Sequence, residues 1–188
     1  MDNRFQDKVE ANPIIAALNN LQKLDLAIES PCKMIFLLTG SIFNLKEIVD
    51  KVKNGDMDIY IHIDLIEGFS NDIVSLKYIS QKIKPDGIIT TKSNLIKKAK
   101  IMNICAIQRL FMLDSLSLET GINSVSSTKP HAIEIMPGIM PKIITKIYKQ
   151  TRVPIIAGGL ISDKEGVIRC LEAGAMGIST SKEKIWFM

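Results

Sequence analysis

Aromatic residues are scarce: six Phe, three Tyr and one Trp make up 5% of the 188 residues. So few rings exclude an aromatic-rich RNA-recognition sheet and leave the core to branched aliphatics, which suit buried strands. Histidine is rarer still, with two copies, and the three cysteines, Cys32, Cys105 and Cys170, share no metal-type spacing. They are expected to be reduced thiols of a cytoplasmic protein. No metal or organic cofactor is expected. The longest apolar run, around 34–38, is far too short for a membrane helix, and residues 1–10 are polar with charges of both signs, unlike a signal peptide. The net charge of +4 is mild. It permits an anionic ligand or RNA without demanding either, and neither a helix-turn-helix nor a zinc knuckle is apparent.

What the chain does contain is alternation. Short Ile- and Val-rich runs at 13–18, 33–38, 58–66, 87–91, 106–112, 132–136, 153–157 and 177–180 are bounded by Gly, Pro, Asn or Asp, as buried strands are. Between them, 44–52, 72–83, 140–148 and 163–173 carry apolar residues at helical spacing, the last stopped by Gly174. A βα alternation with apolar strands predicts a parallel sheet covered on both faces. Even spacing favours an α/β fold of the closed (β/α)8 TIM-barrel type over an open doubly wound sheet. Such barrels usually need about 200 residues or more. This one, a single domain over 1–188, must therefore have short helices, the last confined to 183–188.

In a parallel barrel, function lies at the carboxyl ends of the strands. The segment 154–181 runs a strand into Gly158-Gly159, and a second short strand ends at Thr180-Ser181. Backbone N–H groups at Gly158 and Gly159 can approach an anion closely, and the loops after the last two strands make the usual phosphate cradle of such barrels. His62 and Asp64, if they alternate in a strand, face the same way and can bind hydroxyls, act as an acid–base pair or simply bond each other. Glu67 lies just beyond, and Gly138 follows the sixth run. Arg109 and Glu134 each sit inside an apolar run. A buried arginine must find an anion or a carboxylate, so they form either an internal pair or part of a ligand pocket. Two stretches are basic: Lys92, Lys97, Lys98 and Lys100, and Lys142, Lys146 and Lys149 followed by Arg152. Each is a solvated helix face or a surface for an RNA backbone.

The strings NPIIAAL (12–18), FLLTG (36–40), HIDLIEG (62–68), AIQRLFMLDS (106–115), IEIMPGIMP (133–141), the stretch 84–100 and the stretch 154–181 span nearly the whole chain. In that order they resemble the glycerol-3-phosphate-responsive antiterminator family, as does the closing Ile185-Trp186 pair. The resemblance implies a non-catalytic regulator. Such a protein binds glycerol-3-phosphate as effector, contacts the leader mRNA of glycerol-utilisation genes and prevents premature termination. On this sequence it would place phosphate at Gly158, Gly159, Thr180 and Ser181. His62, Asp64, Arg109 and Glu134 would read the glycerol hydroxyls or brace the pocket. A phosphate-ester-processing enzyme on the same barrel, of phosphodiesterase or isomerase type, is the alternative. Homo-oligomer formation is left open.

Overall fold

A computed structural model describes residues 4–188. Eight parallel strands close into a barrel in sequence order: β1 (Ile14–Leu18), β2 (Met34–Leu37), β3 (Asp58–His62), β4 (Gly87–Thr90), β5 (Cys105–Phe111), β6 (Ala132–Met136), β7 (Ile155–Gly158) and β8 (Gly177–Thr180), with β8 pairing back onto β1. The expected (β/α)8 TIM-barrel architecture is therefore the observed one. Around it lie α2 (Leu24–Glu29), α3 (Leu45–Asn54), α4 (Ile73–Tyr78), α5 (Ser93–Ile101), α6 (Ser115–Thr128), α7 (Pro141–Thr151), α8 (Lys164–Glu172) and α9 (Glu183–Trp186), preceded by α1 (Arg4–Ala11). Short helices let so short a chain close. No helix among the described residues is long and apolar enough to cross a membrane.

The side chains inside the barrel form two levels, because strand residues alternate between the interior and the helix layer. The lower level is apolar: Ile15, Phe36, Tyr60, Ile89, Ile107 and Ile156 pack together. Helix α1 closes it from below. Phe5 and Val9, one turn apart, are buried there, and the Phe5 ring meets the Tyr60 ring edge-on at 5.6 Å. The upper level changes character. His62 and Arg109 stand two residues beyond Tyr60 and Ile107, and Glu134 two beyond Ala132; with Ser179 of β8 they are all buried and all polar.

One expected element is corrected. The run 58–66 is not a strand throughout: β3 ends at His62, and Ile63–Leu65 form a 3-10 turn. Asp64 therefore does not stand in register above His62. It turns toward the end of β4, accepting from the Thr90 hydroxyl at 2.7 Å, the Thr91 amide at 2.8 Å and the Thr91 hydroxyl at 2.9 Å. Three donors on one carboxylate outweigh continued strand pairing. At the other end, α9 is locked by Trp186, whose indole N–H donates to the Thr180 carbonyl at 2.7 Å.

Candidate functional site

A cavity of about 550 Å³ opens at the carboxyl ends of β1, β7 and β8. Its wall includes Arg109 and Glu134 from below, Gly159 to Ser162 from the β7–α8 loop, and Ser179 to Lys182 from the end of β8 and the loop after it. Its polar floor is a buried relay. Arg109 Nε donates to Glu134 Oε2 at 2.7 Å, and the Ser179 hydroxyl donates to Glu134 Oε1 at 2.8 Å. Gly158 makes room for this carboxylate, since a Cβ there would lie 2.8 Å from Glu134 Oε1. The internal pair is thus present, yet it leaves the arginine incompletely matched. Arg109 is 6% exposed, and its second terminal nitrogen, Nη2, is buried without a hydrogen-bond partner. A buried donor left unpaired costs about 1–3 kcal/mol, more when charged. Arg109 also lines the cavity, and a planar guanidinium with an unpaired nitrogen is suited to an oxyanion.

Gly159 has φ +75°, and a Cβ there would meet the Met136 methyl carbon at 2.8 Å. The chain therefore needs glycine where the loop passes the cavity. Leu160 follows, also left-handed at φ +61°. Thr180 is a strut: its hydroxyl donates to the Ile161 carbonyl at 3.1 Å and accepts from the Lys182 amide at 3.2 Å, tying the two cradle loops together. Ser181 is half-buried on the cavity wall, and its hydroxyl has no partner among the described residues. The start of α8 is occupied by its own cap, since Asp163 accepts from the Gly166 amide at 2.8 Å.

The other expected pocket residues separate. His62 is buried beside Arg109, and its Nδ1 has no hydrogen-bond partner. Burial first, and then the Arg109 charge, push its pKa down to about 4, so it is a neutral imidazole at pH 7. Glu67 is exposed, and its backbone pairs with the loop after β2 through Glu67 N to the Gly40 carbonyl at 2.9 Å. Gly138 packs against the β7 backbone and donates to the Gly159 carbonyl at 3.1 Å, so it supports the cradle from behind. Asn19, Leu38 and Lys182 line the cavity although sequence reasoning passed over them. Asn19 and Lys182 stand just past strand ends, the same signal that singled out Ser181.

Of the basic residues, Lys92, Lys97, Lys98, Lys142, Lys146, Lys149 and Arg152 are exposed. Lys100 is half-buried and donates to the Thr128 and Lys129 carbonyls at the end of α6.

A family model described as glycerol-3-phosphate responsive antiterminator matches residues 14–186. The uncharacterized protein YgcP of Escherichia coli (strain K12) is 39% identical over 93% of this chain and 92% of its own. The crystal structure of a glycerol uptake operon antiterminator regulatory protein from Listeria monocytogenes str. 4b F2365 is similar, with 34% identity over 93% of this chain and 95% of that one and a TM-score of 0.91. A glycerol uptake operon antiterminator-related protein from Thermotoga maritima MSB8 superposes with a TM-score of 0.84 at 30% identity, over 93% of this chain and 98% of that one.

Proposed function

The chain belongs to the glycerol-3-phosphate responsive antiterminator family, and from that premise we propose that the cavity at the barrel mouth is a sensor pocket for glycerol-3-phosphate. The phosphate is received between Gly159 and Ser181. Arg109 turns its unpaired nitrogen to the ligand, Glu134 and Ser179 hold that arginine in place, and Gly158 and Thr180 shape the cradle. His62, neutral and buried beside Arg109, braces the arginine from below the cavity. The liganded protein binds the leader mRNA of glycerol-utilisation genes in the cytoplasm and prevents premature termination. The reading needs no metal or organic cofactor.

The observation that carries it is the buried, incompletely paired Arg109 on the wall of a cavity rimmed by Gly159 and Ser181. Two further observations favour sensing over turnover. A histidine with its pKa near 4 is a weak base at neutral pH. Asp64, the acid expected beside it, is spent on Thr90 and Thr91.

Calorimetric titration with glycerol-3-phosphate tests the pocket. Arg109→Met paired with Glu134→Gln removes the donor without stranding a carboxylate. Loss of one charge-assisted hydrogen bond should weaken binding by roughly 10- to 100-fold. Unchanged affinity in the folded double variant would refute the assignment.

A further inference from the structure

The chain sorts its charge by position. Residues 87–162 hold 10 of the 24 Lys and Arg but 3 of the 20 Asp and Glu, a net +7, while the 14 cations and 17 acids elsewhere give a net −3. This segment supplies β4 to β7 and α5, α6 and α7, and these helices pack side by side, α5 on α6 and α6 on α7. One of its three acids, Glu134, is inside the barrel against Arg109. Outside, only Asp114 and Glu119 remain, and Asp114 caps α6. The two groups of lysines therefore flank α6 on a single outer face. Helix α6 itself presents neutral hydrogen-bonding groups there: Ser115, Thr120, Asn123, Ser126 and Ser127 are exposed.

The cations on this face are not equivalent. Lys97 donates to the Ser127 hydroxyl at 2.9 Å, and Lys100 is spent on the carboxyl end of α6. Helix α7 differs. It contains no acid, and its exposed Lys142, Lys146 and Lys149 enter no ion pair among the described residues. Arg152 continues the row, its guanidinium 5.6 Å from the centre of the exposed Tyr148 ring. The row runs about 15 Å along the helix. On the rest of the molecule, cations such as Lys23, Lys46, Lys51 and Lys53 are paired with carboxylates.

We propose that the α5–α6–α7 face receives the phosphate backbone of RNA, with the α7 row as its main set of phosphate contacts. This rests on the RNA-binding reading above. Segregated charge on a chain of small net charge is the electrostatic footprint of a polyanion partner, whose counterions are released on contact. Serine, threonine and asparagine side chains between the cations suit phosphate and ribose hydroxyls. The face also reaches the effector. Arg109 lines the glycerol-3-phosphate cavity and, in addition, a groove of about 540 Å³ at the mouth end of α6, shared with Thr91, Phe111, Ser117 and Thr120. A ligand that fixes this side chain acts on both.

The test compares the full chain with K142E/K146E/K149E on α7 and with K33E/K77E/K82E, a charge-matched control outside residues 87–162. Leader RNA of a glycerol-utilisation operon is titrated at several salt concentrations in saturating glycerol-3-phosphate, whose own binding is followed by calorimetry. The α7 variant should lose roughly 30-fold or more in RNA affinity, and its log–log salt slope should shrink by about 2, near 0.7 per single-strand phosphate contact. The control should stay within about threefold, and effector binding should be the same in all three. If the α7 variant binds RNA as the parent does, or the control loses as much, this face is wrong while RNA binding stands. If the parent binds no RNA at any salt, the RNA reading itself fails. Polyglutamate bound in its place and released by the α7 changes would then identify the partner as an acidic polypeptide, overturning the proposal.

Discussion

At the scale of single residues, the pocket depends on groups that stability alone would not favour. A buried ion pair rarely outperforms a hydrophobic substitute, yet Arg109 and Glu134 occupy the upper level of the barrel where Ile107 and Ala132 fill the lower one. His62 is equally costly, and its cost depends on pH. Its folded pKa, near 4, lies below the unfolded value near 6.5. The unfolded chain therefore binds more protons between these values, and stability falls as the pH drops from about 6.5 toward 4. Urea midpoints measured across that range should decline, and His62→Gln should flatten the decline. A profile identical to that of the parent would show that His62 is not buried in its neutral form. Gly159→Ala is expected to cost about 1–2 kcal/mol for its left-handed backbone and its approach to Met136, and to weaken effector binding with it. Thermal melting and calorimetry on that variant would separate the two effects.

At the scale of elements, the barrel needs its floor. Phe5 and Val9 close the lower level from α1, and Phe5→Ala should cost about 3–5 kcal/mol, as deletion of a buried ring does. A loss of unfolding free energy, from urea titration, of less than about a quarter of that would mean that α1 is only loosely seated. This helix was not legible in the sequence, because two apolar residues in a polar stretch do not make a periodic face, and their partner, Tyr60, is distant in the chain. The strands were legible because they are buried on both faces almost throughout and read as short apolar runs. The exception is instructive. Ile63 and Ile66 prolong the apolar run of β3, so periodicity alone could not show that Asp64 turns away to bind Thr90 and Thr91. The sequence of α6 has a weak apolar face and many hydroxyls, although its start is marked by the Asp114–Ser117 capping box.

At the scale of the whole molecule, two properties coincide: a cavity between the last strands and a basic face built from the middle of the chain. That the loops carrying Gly159 and Thr180-Ser181 meet at one cavity was legible, because Gly158-Gly159 and Thr180-Ser181 follow apolar runs and the barrel rule places both at one end. The division of labour within it was not. That Gly158 accommodates Glu134, that Thr180 ties two loops and that Gly138 supports Gly159 depend on contacts between strands far apart in sequence. The lysine groups were likewise visible as two stretches, but only the packing of α5, α6 and α7 joins them into one face. The effector and the RNA must be linked if the protein is a sensor, and linkage is reciprocal. The most direct measurement is therefore the affinity of the chain for its leader RNA with and without glycerol-3-phosphate, at one fixed moderate salt concentration. The account predicts tighter binding with the ligand, by about 5- to 150-fold, and equal affinity in the two titrations would contradict it.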